Sequence, residues 1–430
     1  MIRPAWSDMI RSFGRIGLLS FGGPAAQIAL MHDELVTRRG WLGEQRFLGT
    51  LSFCMLLPGP EAMQLATFAG WRLRGLSGGL LAGLLFVLPG AIVIAALAFA
   101  YAQWGALPVV REAFTGVKAL VIVIVMQALW KLSRRALDDG LAWGIAGCSF
   151  LALFLFDLPF PLVIALAAGL GAFVTTGGGA KAQEAAPEDT RGQNAQTPSA
   201  TAGASWQASM KMALGWLVLW LLPLAFLWAI GNDFLFALSL FFAKLAVVTF
   251  GGAYAVLAYM AQEIVTSHGW LTTEQMIDAL GLAETTPGPL ILVTQFAAHL
   301  AGLTSGGGGI GLIAGLLALW MVFVPCFLFI FVLAPHVEKI LSIGRLRMAL
   351  RGITAAVVGV ILNLSLWFAL HVLFGQVEGH APPRPVLSSF SPEAAGLTLL
   401  AAVALLWLRL PLLPSLGVCA ALGAILAGAI

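Results

Sequence analysis

Apolar stretches long enough to cross a lipid bilayer recur along the whole chain, and this feature limits the fold most strongly. Four examples are 80–102, 212–230, 310–334 and 353–374, each close to the roughly 20 residues that a spanning helix needs. Only 10% of the residues are charged and the mean hydropathy is +0.94, whereas soluble proteins carry about 25% charged residues. The alternation typical of an outer-membrane barrel is missing. The sequence therefore predicts an all-α integral membrane protein.

The N-terminal sequence and the composition narrow the functional class. Residues 1–15 contain no apolar core that ends in a small-residue cleavage site, so we expect an uncleaved, multi-pass protein of a bacterial inner membrane with its N-terminus in the cytoplasm. The four cysteines stand alone in apolar stretches, which predicts no metal and no cofactor. The net charge of +3 is too small to indicate nucleic acid as a partner. A P-loop is absent, which argues against an ATP-driven pump.

One polar stretch divides the chain into two similar halves. Residues 177–210 are rich in Gly, Ala, Ser, Pro and Gln, which predicts a flexible cytoplasmic linker. The halves are 1–176 and 233–430, and residues 13–60 align without a gap on 242–289. The shared landmarks are Phe21-Gly22-Gly23 with Phe250-Gly251-Gly252, Glu34 with Glu263, Gly40-Trp41-Leu42 with Gly269-Trp270-Leu271, and Pro58-Gly59-Pro60 with Pro287-Gly288-Pro289. Shared motifs in shared order indicate an internal repeat.

The basic residues predict that the two halves have opposite orientations in the membrane. Loops 38–46 and 72–74 of the first half carry arginines, but the equivalent loops 267–275 and 303–309 carry neither Lys nor Arg. Basic residues concentrate on the cytoplasmic side, so the halves should be inverted relative to each other. The segment 211–232 has no counterpart in the repeat, and we expect it to be the single extra transmembrane helix that connects them.

Proline and glycine interrupt the apolar segments at matched positions. The arms 44–57 and 61–73 around the first Pro-Gly-Pro are each too short to cross about 30 Å at 1.5 Å per residue. A re-entrant hairpin that returns to its own side fits them better, and segment 10–37 with "FGGP" is similar. Six continuous spans per half is the alternative, but it leaves Arg38, Arg39 and Arg46 on the wrong side. Inverted repeats with broken helices are typical of secondary transporters.

The breaks are the candidate substrate site. Helices that restart after a break direct free N–H groups and a positive dipole end toward the membrane interior, which favours an anion. Proline suits the first position of such helices. Ordinary kinks that allow close helix packing are the alternative interpretation. The backbone candidates are Gly22, Gly23, Gly251, Gly252, Pro58, Gly59, Pro60, Pro287, Gly288 and Pro289.

Side chains near the breaks complete the hypothesis. Arg15 aligns with Lys244, and a cation in an apolar segment usually faces a cavity or a partner, although extension of the side chain to the membrane surface is the alternative. Glu61 and Glu284 are candidates for proton coupling, although Glu61 could simply complement a helix N-terminus. Further candidate donors to an oxyanion are Ser20, Thr249, Gln64, Thr67, Thr285, Thr286, Thr294 and Gln295.

Four segments resemble the signature segments of the chromate ion transporter family, in its long-chain, two-domain bacterial form. They are "FGGPAAQIALMHDELVTRRGWL", "LPGPEAMQLATFAGW", "TFGGAYAVLAYMAQEIVTSHGWLT" and "AETTPGPLILVTQFAAHLAG". The resemblance implies a proton-coupled antiporter that exports chromate and confers chromate resistance, with sulfate as a competing analogue. His299 stands where we expect a small or aromatic residue.

Other functions stay open on the residues alone. An importer or exchanger for sulfate or another oxyanion would use the same anion-favouring breaks, and an anion channel is a further alternative. An enzyme that reduces chromate would need a flavin, haem or thiol site, and the sequence has no such spacing, so we predict a transporter and not an enzyme. The coupling ion and the oligomeric state stay open, and a homodimer is one option.

Overall fold

The computed structural model describes residues 3–174, 206–250, 253–341, 343–379 and 381–428. Residues 177–205 of the predicted linker therefore lie outside the described residues. The described part is almost entirely helical. The helices before the linker are α1 Trp6–Leu19, α2 Gly23–His32, α3 Glu44–Cys54, α4 Glu61–Trp104, α5 Pro108–Ala136, α6 Gly140–Phe156 and α7 Phe160–Val174.

Nine α-helices follow the linker in the part of the chain that the structure describes. The first, α8, begins at Trp206, so residues 206–210 are helical and the predicted linker was drawn too long at its C-terminal end. The helices are α8 Trp206–Ala229, α9 Asp233–Val248, α10 Ala253–Met260, α11 Thr273–Thr285, α12 Val293–Leu333, α13 Val337–Leu341, α14 Gly344–Leu373, α15 Pro392–Ala402 and α16 Leu412–Gly428.

Five helical stretches among the described residues are long and apolar enough to cross a membrane. They are Glu61–Trp104, Pro108–Ala136, Trp206–Ala229, Leu290–His336 and Gly344–Leu373. The apolar stretches 80–102 and 310–334 lie within these helices, and 212–230 and 353–374 each extend one residue past a helix end. The protein is thus a helical, multi-pass membrane protein, and its only described strands, β1 Val377–Glu378 and β2 Arg384–Pro385, form one short antiparallel pair.

The two halves have the same sequence of elements at matched positions. Helices α1, α2 and α3 correspond to α9, α10 and α11, and a π-helical segment follows α2 at Asp33–Arg38 and α10 at Ala261–Ser267. Both long helices contain one non-helical pair, Arg74-Gly75 in α4 and Gly306-Gly307 in α12. These matched irregularities extend the internal repeat from the sequence to the backbone.

At each non-helical pair the chain folds back on itself. A Cβ atom at Gly70 would lie 2.2 Å from the carbonyl oxygen of Gly78, and one at Gly302 would lie 2.8 Å from Cα of Gly311. Such close approach requires glycine, which lets two helix backbones touch. Each long helix is therefore a hairpin with a short arm, 61–73 or 293–305, packed against a longer one.

The longer arms of α4 and α12 pack side by side in the core. Gly79 faces Phe331 and Gly83 faces Phe327. The residue number rises along one helix as it falls along the other, so these two equivalent helices run antiparallel. Around them, α14 packs against α5, α6 and α7, and α16 packs against α5.

Candidate functional site

The Pro-Gly-Pro break of each half is bonded to the first break of the other half. The backbone N–H of Gly59 donates to the carbonyl of Thr249 at 2.8 Å, and the N–H of Gly288 donates to the carbonyl of Ser20 at 2.9 Å. Gly59 and Gly288 are repeat equivalents, and so are Ser20 and Thr249. The pairs therefore form one symmetric arrangement, in which each Pro-Gly-Pro triplet is bonded to the residue that follows the first helix of the other half.

The glycines of the two triplets have conformations that other residues rarely adopt. Gly59 has φ +113° and Gly288 has φ +91°, and both values lie in the region that favours glycine. The second triplet also lies against α4, where a Cβ at Gly90 would stand 2.2 Å from the carbonyl oxygen of Pro287. The first triplet faces Cys326, whose sulfur would lie 2.9 Å from a Cβ at Gly59. The broken backbone is thus covered by protein, as membrane depth requires.

The prolines have slightly different places from those predicted. Pro24 is the second residue of α2, but Pro60 directly precedes α4, and Pro289 directly precedes the short 3₁₀ turn that leads into α12. The expectation that proline occupies the first helical position is therefore wrong by one residue at all three prolines. The free N–H groups consequently begin at Glu61 and Leu290.

The Gly-Gly break of the first half is described, and that of the second half is not. Gly22 has φ +84° and caps α2, and Gly23 has φ +80°. Two consecutive left-handed residues end α1 and start α2 in a new direction. The equivalent candidates Gly251 and Gly252 lie outside the described residues.

Three buried carboxamides hold the breaks in place. Nε2 of Gln27 donates across the halves to the carbonyl of Gly288 at 2.7 Å. Gln64 donates to Pro58 at 2.7 Å, and Gln295 donates to Ala91 at 3.0 Å. The Oε1 atom of each glutamine is buried without a hydrogen-bond partner among the described residues. Buried acceptors without a hydrogen-bond partner are uncommon. These three oxygens are therefore able to accept hydrogen bonds that the described side chains do not supply.

The predicted hydroxyl donors bond to nearby groups of their own helices. Thr286 donates to the carbonyl of Ala283 at 3.1 Å, and Thr249 donates to that of Leu245 at 2.5 Å. The same pattern holds for Ser20, Thr285 and Thr294, while Thr67 faces the sulfur of Met63 at 3.6 Å. Most of these hydroxyls thus bond to backbone carbonyls near the breaks, which is common for serine and threonine in helices.

Arg15 and Lys244 both lie on the surface of the protein. One Arg15 Nη lies 3.6 Å from Glu34, and 47% of the arginine side chain is exposed. Lys244 is exposed and has no ion-pair partner among the described residues. Neither cation reaches into the buried contacts between the breaks in this conformation. Their assignment to the substrate site stays a prediction.

Glu34 is the centre of a small charged group at the end of α1. Ser12 donates to it at 2.9 Å and Arg39 at 3.2 Å, with Arg15 nearby. Burial acts to raise the pKa of Glu34, but the hydrogen bonds from Ser12 and Arg39 and the charge of Arg15 outweigh it and hold the pKa below its ordinary value. Glu34 is therefore ionised at neutral pH and balances much of the charge of Arg15.

The two carboxylate candidates have different surroundings. Glu61 is partly buried in the first turn of α4, where a carboxylate complements the helix dipole. Glu284 is 5% exposed, and the Tyr254 hydroxyl donates to it at 2.9 Å. Glu284 thus lies three residues before the start of the second Pro-Gly-Pro, as a buried acid with one neutral hydrogen-bond partner among the described residues.

Sequence reasoning missed a buried ion pair between the halves. Lys118 of α5 lies 3.0 Å from Asp278 of α11, and the Tyr101 hydroxyl donates to the same carboxylate at 2.6 Å. A lysine within the apolar run of a spanning helix is itself a signal, and "GVKALVIVIV" carries it. The search for repeat-equivalent residues overlooked it because neither member has an ionisable counterpart in the other half.

A separate cavity of about 510 Å³ opens between α6, α14 and the region around β1. Its polar lining residues are Asp157, Gln262, Thr266, Thr273, Asn363 and His371. None of the predicted site residues lines it. The breaks and this cavity are therefore two different places in the molecule.

Comparison with known sequences identifies the family. The sequence profile described as "Chromate transporter" matches residues 7–172 and 236–428. The chain belongs to the chromate transporter family. It is 31% identical over 363 residues to the chromate transport protein of Pseudomonas aeruginosa, covering 83% of this chain and 79% of that protein. It is 30% identical over 358 residues to the chromate transport protein of Cupriavidus metallidurans strain CH34, covering 82% and 80%.

Some relatives of this chain are less than half as long. The uncharacterized transporter YwrA of Bacillus subtilis strain 168 is 29% identical over 162 residues, which are 36% of this chain but 90% of that protein. One half of the chain thus corresponds to nearly a whole relative, as an internal repeat requires. No solved structure matches the chain.

Proposed function

We propose that this protein is a secondary transporter that exports chromate from the cytoplasm in exchange for protons and so confers chromate resistance. Membership of the chromate transporter family supports chromate as the substrate. The observation that carries the transport mechanism is the reciprocal bonding of Gly59 to Thr249 and of Gly288 to Ser20. It links a helix break of each half to the other half, and secondary transporters build their sites between repeats in this way.

The antiparallel packing of α4 on α12 supports an inverted repeat. Equivalent helices run parallel when two halves are related by an axis along the membrane normal, and antiparallel when the axis lies in the membrane plane. Gly79 against Phe331 and Gly83 against Phe327 fit the second case. In this proposal the single helix α8 inverts the second half, the N-terminus is cytoplasmic, and the 267–272 loop and the C-terminus are periplasmic.

The short arms support re-entrant hairpins. Helix α3 has 11 residues and α11 has 13, which at 1.5 Å per residue reach roughly 17–20 Å, well short of the membrane core. Each is followed by a break and by an arm that turns back at Arg74-Gly75 or Gly306-Gly307. Each pair of arms therefore enters and leaves on one side of the membrane.

The substrate would bind where the breaks meet. Chromate is a dianion, and the N-termini of α2 and α4 supply partial positive charge to it. Glu284, which is buried beside the second break, is the better placed of the two coupling candidates, since its protonation would change the charge close to the substrate. Sulfate has the same charge and tetrahedral shape, so we expect it to compete.

Transport into inverted membrane vesicles tests the proposal. Radiolabelled chromate should accumulate when a pH gradient, acidic inside, is imposed, and excess sulfate should reduce the uptake. Vesicles from cells that lack the protein are the control. Uptake of sulfate but not of chromate would indicate the oxyanion-exchanger alternative, and uptake that is indifferent to pH would indicate a channel.

A further inference from the structure

A buried charged cluster joins α5 of the first half to α11 of the second. Asp278 is 4% exposed, and its carboxylate receives the Tyr101 hydroxyl on one oxygen at 2.6 Å and approaches Nζ of Lys118 with the other at 3.0 Å. The Lys118 side chain is 12% exposed. Both charges are thus almost removed from water, within a membrane protein.

This pair is not required by the shared fold of the two halves. Lys118 corresponds to Thr354 when Gly116 is aligned with Gly352, and Asp278 corresponds to Gly49. The other half forms the equivalent elements with no ionisable residue at either position. A buried charge pair is weak evidence for stability because the loss of hydration offsets the attraction. In a spanning helix such a pair indicates function.

A chain of charges leads from the protein surface to the pair. Glu274, one turn before Asp278 on α11, lies 3.5 Å from Lys118 and 3.7 Å from Arg111. Arg111 and Glu274 are 60% and 54% exposed. Lys118 lies about two turns further along α5 than Arg111, and its side chain is 12% exposed. One helix therefore carries both an exposed and a buried cation.

The groups around the Asp278 carboxylate are those that an oxyanion needs. An ammonium and a phenol hydroxyl both donate to anionic oxygens and have favourable charge or dipole for them. One carboxylate oxygen of Asp278 lies 3.0 Å from Nζ of Lys118 and the other accepts from the Tyr101 hydroxyl at 2.6 Å, so the carboxylate takes the position that the oxygens of a bound anion would take.

We propose that Lys118 and Tyr101 form an oxyanion-binding pair, and that the carboxylate of Asp278 occupies this pair in the present conformation. The inference rests on the proposed transport of an oxyanion and adds a site away from the breaks. Movement of α11 away from α5 uncovers the pair, and the transported anion takes the place of the carboxylate. The contact of Gly281 with Val117 is the packing that this movement releases, since a Cβ at Gly281 would lie 2.7 Å from the valine.

Anion binding to purified variants tests the site. Asp278→Asn removes the competing charge and is expected to lower the Kd for chromate about tenfold, equivalent to about 1.4 kcal/mol. Lys118→Gln should raise the Kd by a similar factor, because it removes the charge that attracts the anion. The double variant should bind as weakly as Lys118→Gln. Lys118→Arg should retain binding within a few-fold, because the charge persists.

A purely structural pair gives the opposite pattern. Both single variants would then lose binding and thermal stability together, and the double variant would recover both, which would overturn the proposal. The exposed ion pair of Arg351 with Asp138 and Asp139 also joins the two halves and is the matched control. Arg351→Gln should leave the Kd unchanged.

The same experiment separates this inference from the proposed function. Wild-type protein that binds sulfate but not chromate would refute the proposed substrate, and the variants measured with sulfate would still test the pair. Wild-type protein that binds chromate, with a Kd that none of the four variants changes, would refute the pair and leave the proposed function standing.

Discussion

Helices α3 and α11 occupy the same place in the two halves, yet their burial differs. Four residues of α3 are buried, namely Phe47, Thr50, Phe53 and Cys54. Helix α11 buries eight, namely Met276, Ile277, Asp278, Ala279, Leu280, Gly281, Ala283 and Glu284. The repeat fixes the positions of both helices but not their packing. The molecule therefore departs from its own internal symmetry at these two arms.

The difference has a direct mechanistic meaning. Helix α11 packs on α5 of the other half through Gly281 and the Lys118–Asp278 pair. Helix α3 presents Leu48 and Ser52 at the surface instead. If the halves are inverted as we propose, α11 closes the periplasmic side and α3 leaves the cytoplasmic side open. In the alternating-access step, α3 would become as buried as α11 is here, and α11 would become as exposed as α3 is here.

The contact of the second break with α4 gives the largest expected effect. Gly90→Leu places a side chain where even a Cβ would lie 2.2 Å from the carbonyl oxygen of Pro287. The break must shift, because overpacking a tight contact forces backbone movement. We expect chromate transport to fall by more than about 100-fold, equivalent to about 2.7 kcal/mol, in vesicles with matched protein content.

The equivalent position in the other half provides the control. Cys326 aligns with Gly90 and faces Gly59 across a contact that already holds a side chain. Cys326→Ala should leave transport within about twofold, since the smaller residue removes no charge and only one weak hydrogen bond. Equal losses for both variants would mean that the two breaks have no special contacts and that general core damage explains the result.

The two Pro-Gly-Pro triplets should also differ in sensitivity. Pro287→Ala with Gly288→Ala allows α11 to continue and removes the left-handed residue that bonds to Ser20. We expect transport to fall about tenfold or more while membrane expression persists. Pro58→Ala with Gly59→Ala should cost less, because the arm before it is less buried. Unchanged efflux in both double variants would indicate that the triplets are only kinks that allow close helix packing.

Much of this architecture could be predicted from the sequence because it follows from local chemistry. The length of the apolar stretches predicted the spanning helices, and the positions of proline and glycine predicted the breaks near residues 22, 59 and 288. The shared landmarks also predicted which breaks correspond. The turns at Arg74-Gly75 and Gly306-Gly307 were only implied by loop composition, since a single left-handed residue inside a helical pattern leaves little trace.

Cysteine labelling tests the difference between the arms themselves. In a background without the native cysteines, Ser52→Cys on α3 should react with a membrane-impermeant maleimide, and Ala279→Cys on α11 should be protected. The label should reach Ser52→Cys from the cytoplasmic side. Added chromate should raise the reactivity of Ala279→Cys if it stabilises the state in which α11 has moved. Labelling of 38–46 and 267–272 from the same side would contradict the inverted repeat.

The side chains of the site were harder to predict than its backbone. Which charges are buried depends on contacts between helices that are far apart in the sequence. The spacing of residues along the chain does not reveal these contacts. Arg15 is therefore found beside Glu34, while Lys118 meets Asp278 160 residues away (278 − 118). Gln27 was overlooked for the same reason, since its partner Gly288 belongs to the other half.

The smallest expected effect concerns Lys244 and its counterpart Arg15. Lys244 is exposed and unpaired among the described residues, whereas Arg15 is balanced by Glu34. If Lys244 attracts the anion before it reaches the breaks, Lys244→Gln should raise the KM for chromate about threefold, in the range expected for one exposed charge. Lys244→Arg should keep most of the affinity, and Arg15→Gln should change KM less. The effect of Lys244→Gln should shrink at high salt, because screening weakens exposed charges. A Lys244→Gln variant with wild-type KM at low salt would make Lys244 a residue that simply extends to the membrane surface, and the cations of the site would then be found elsewhere.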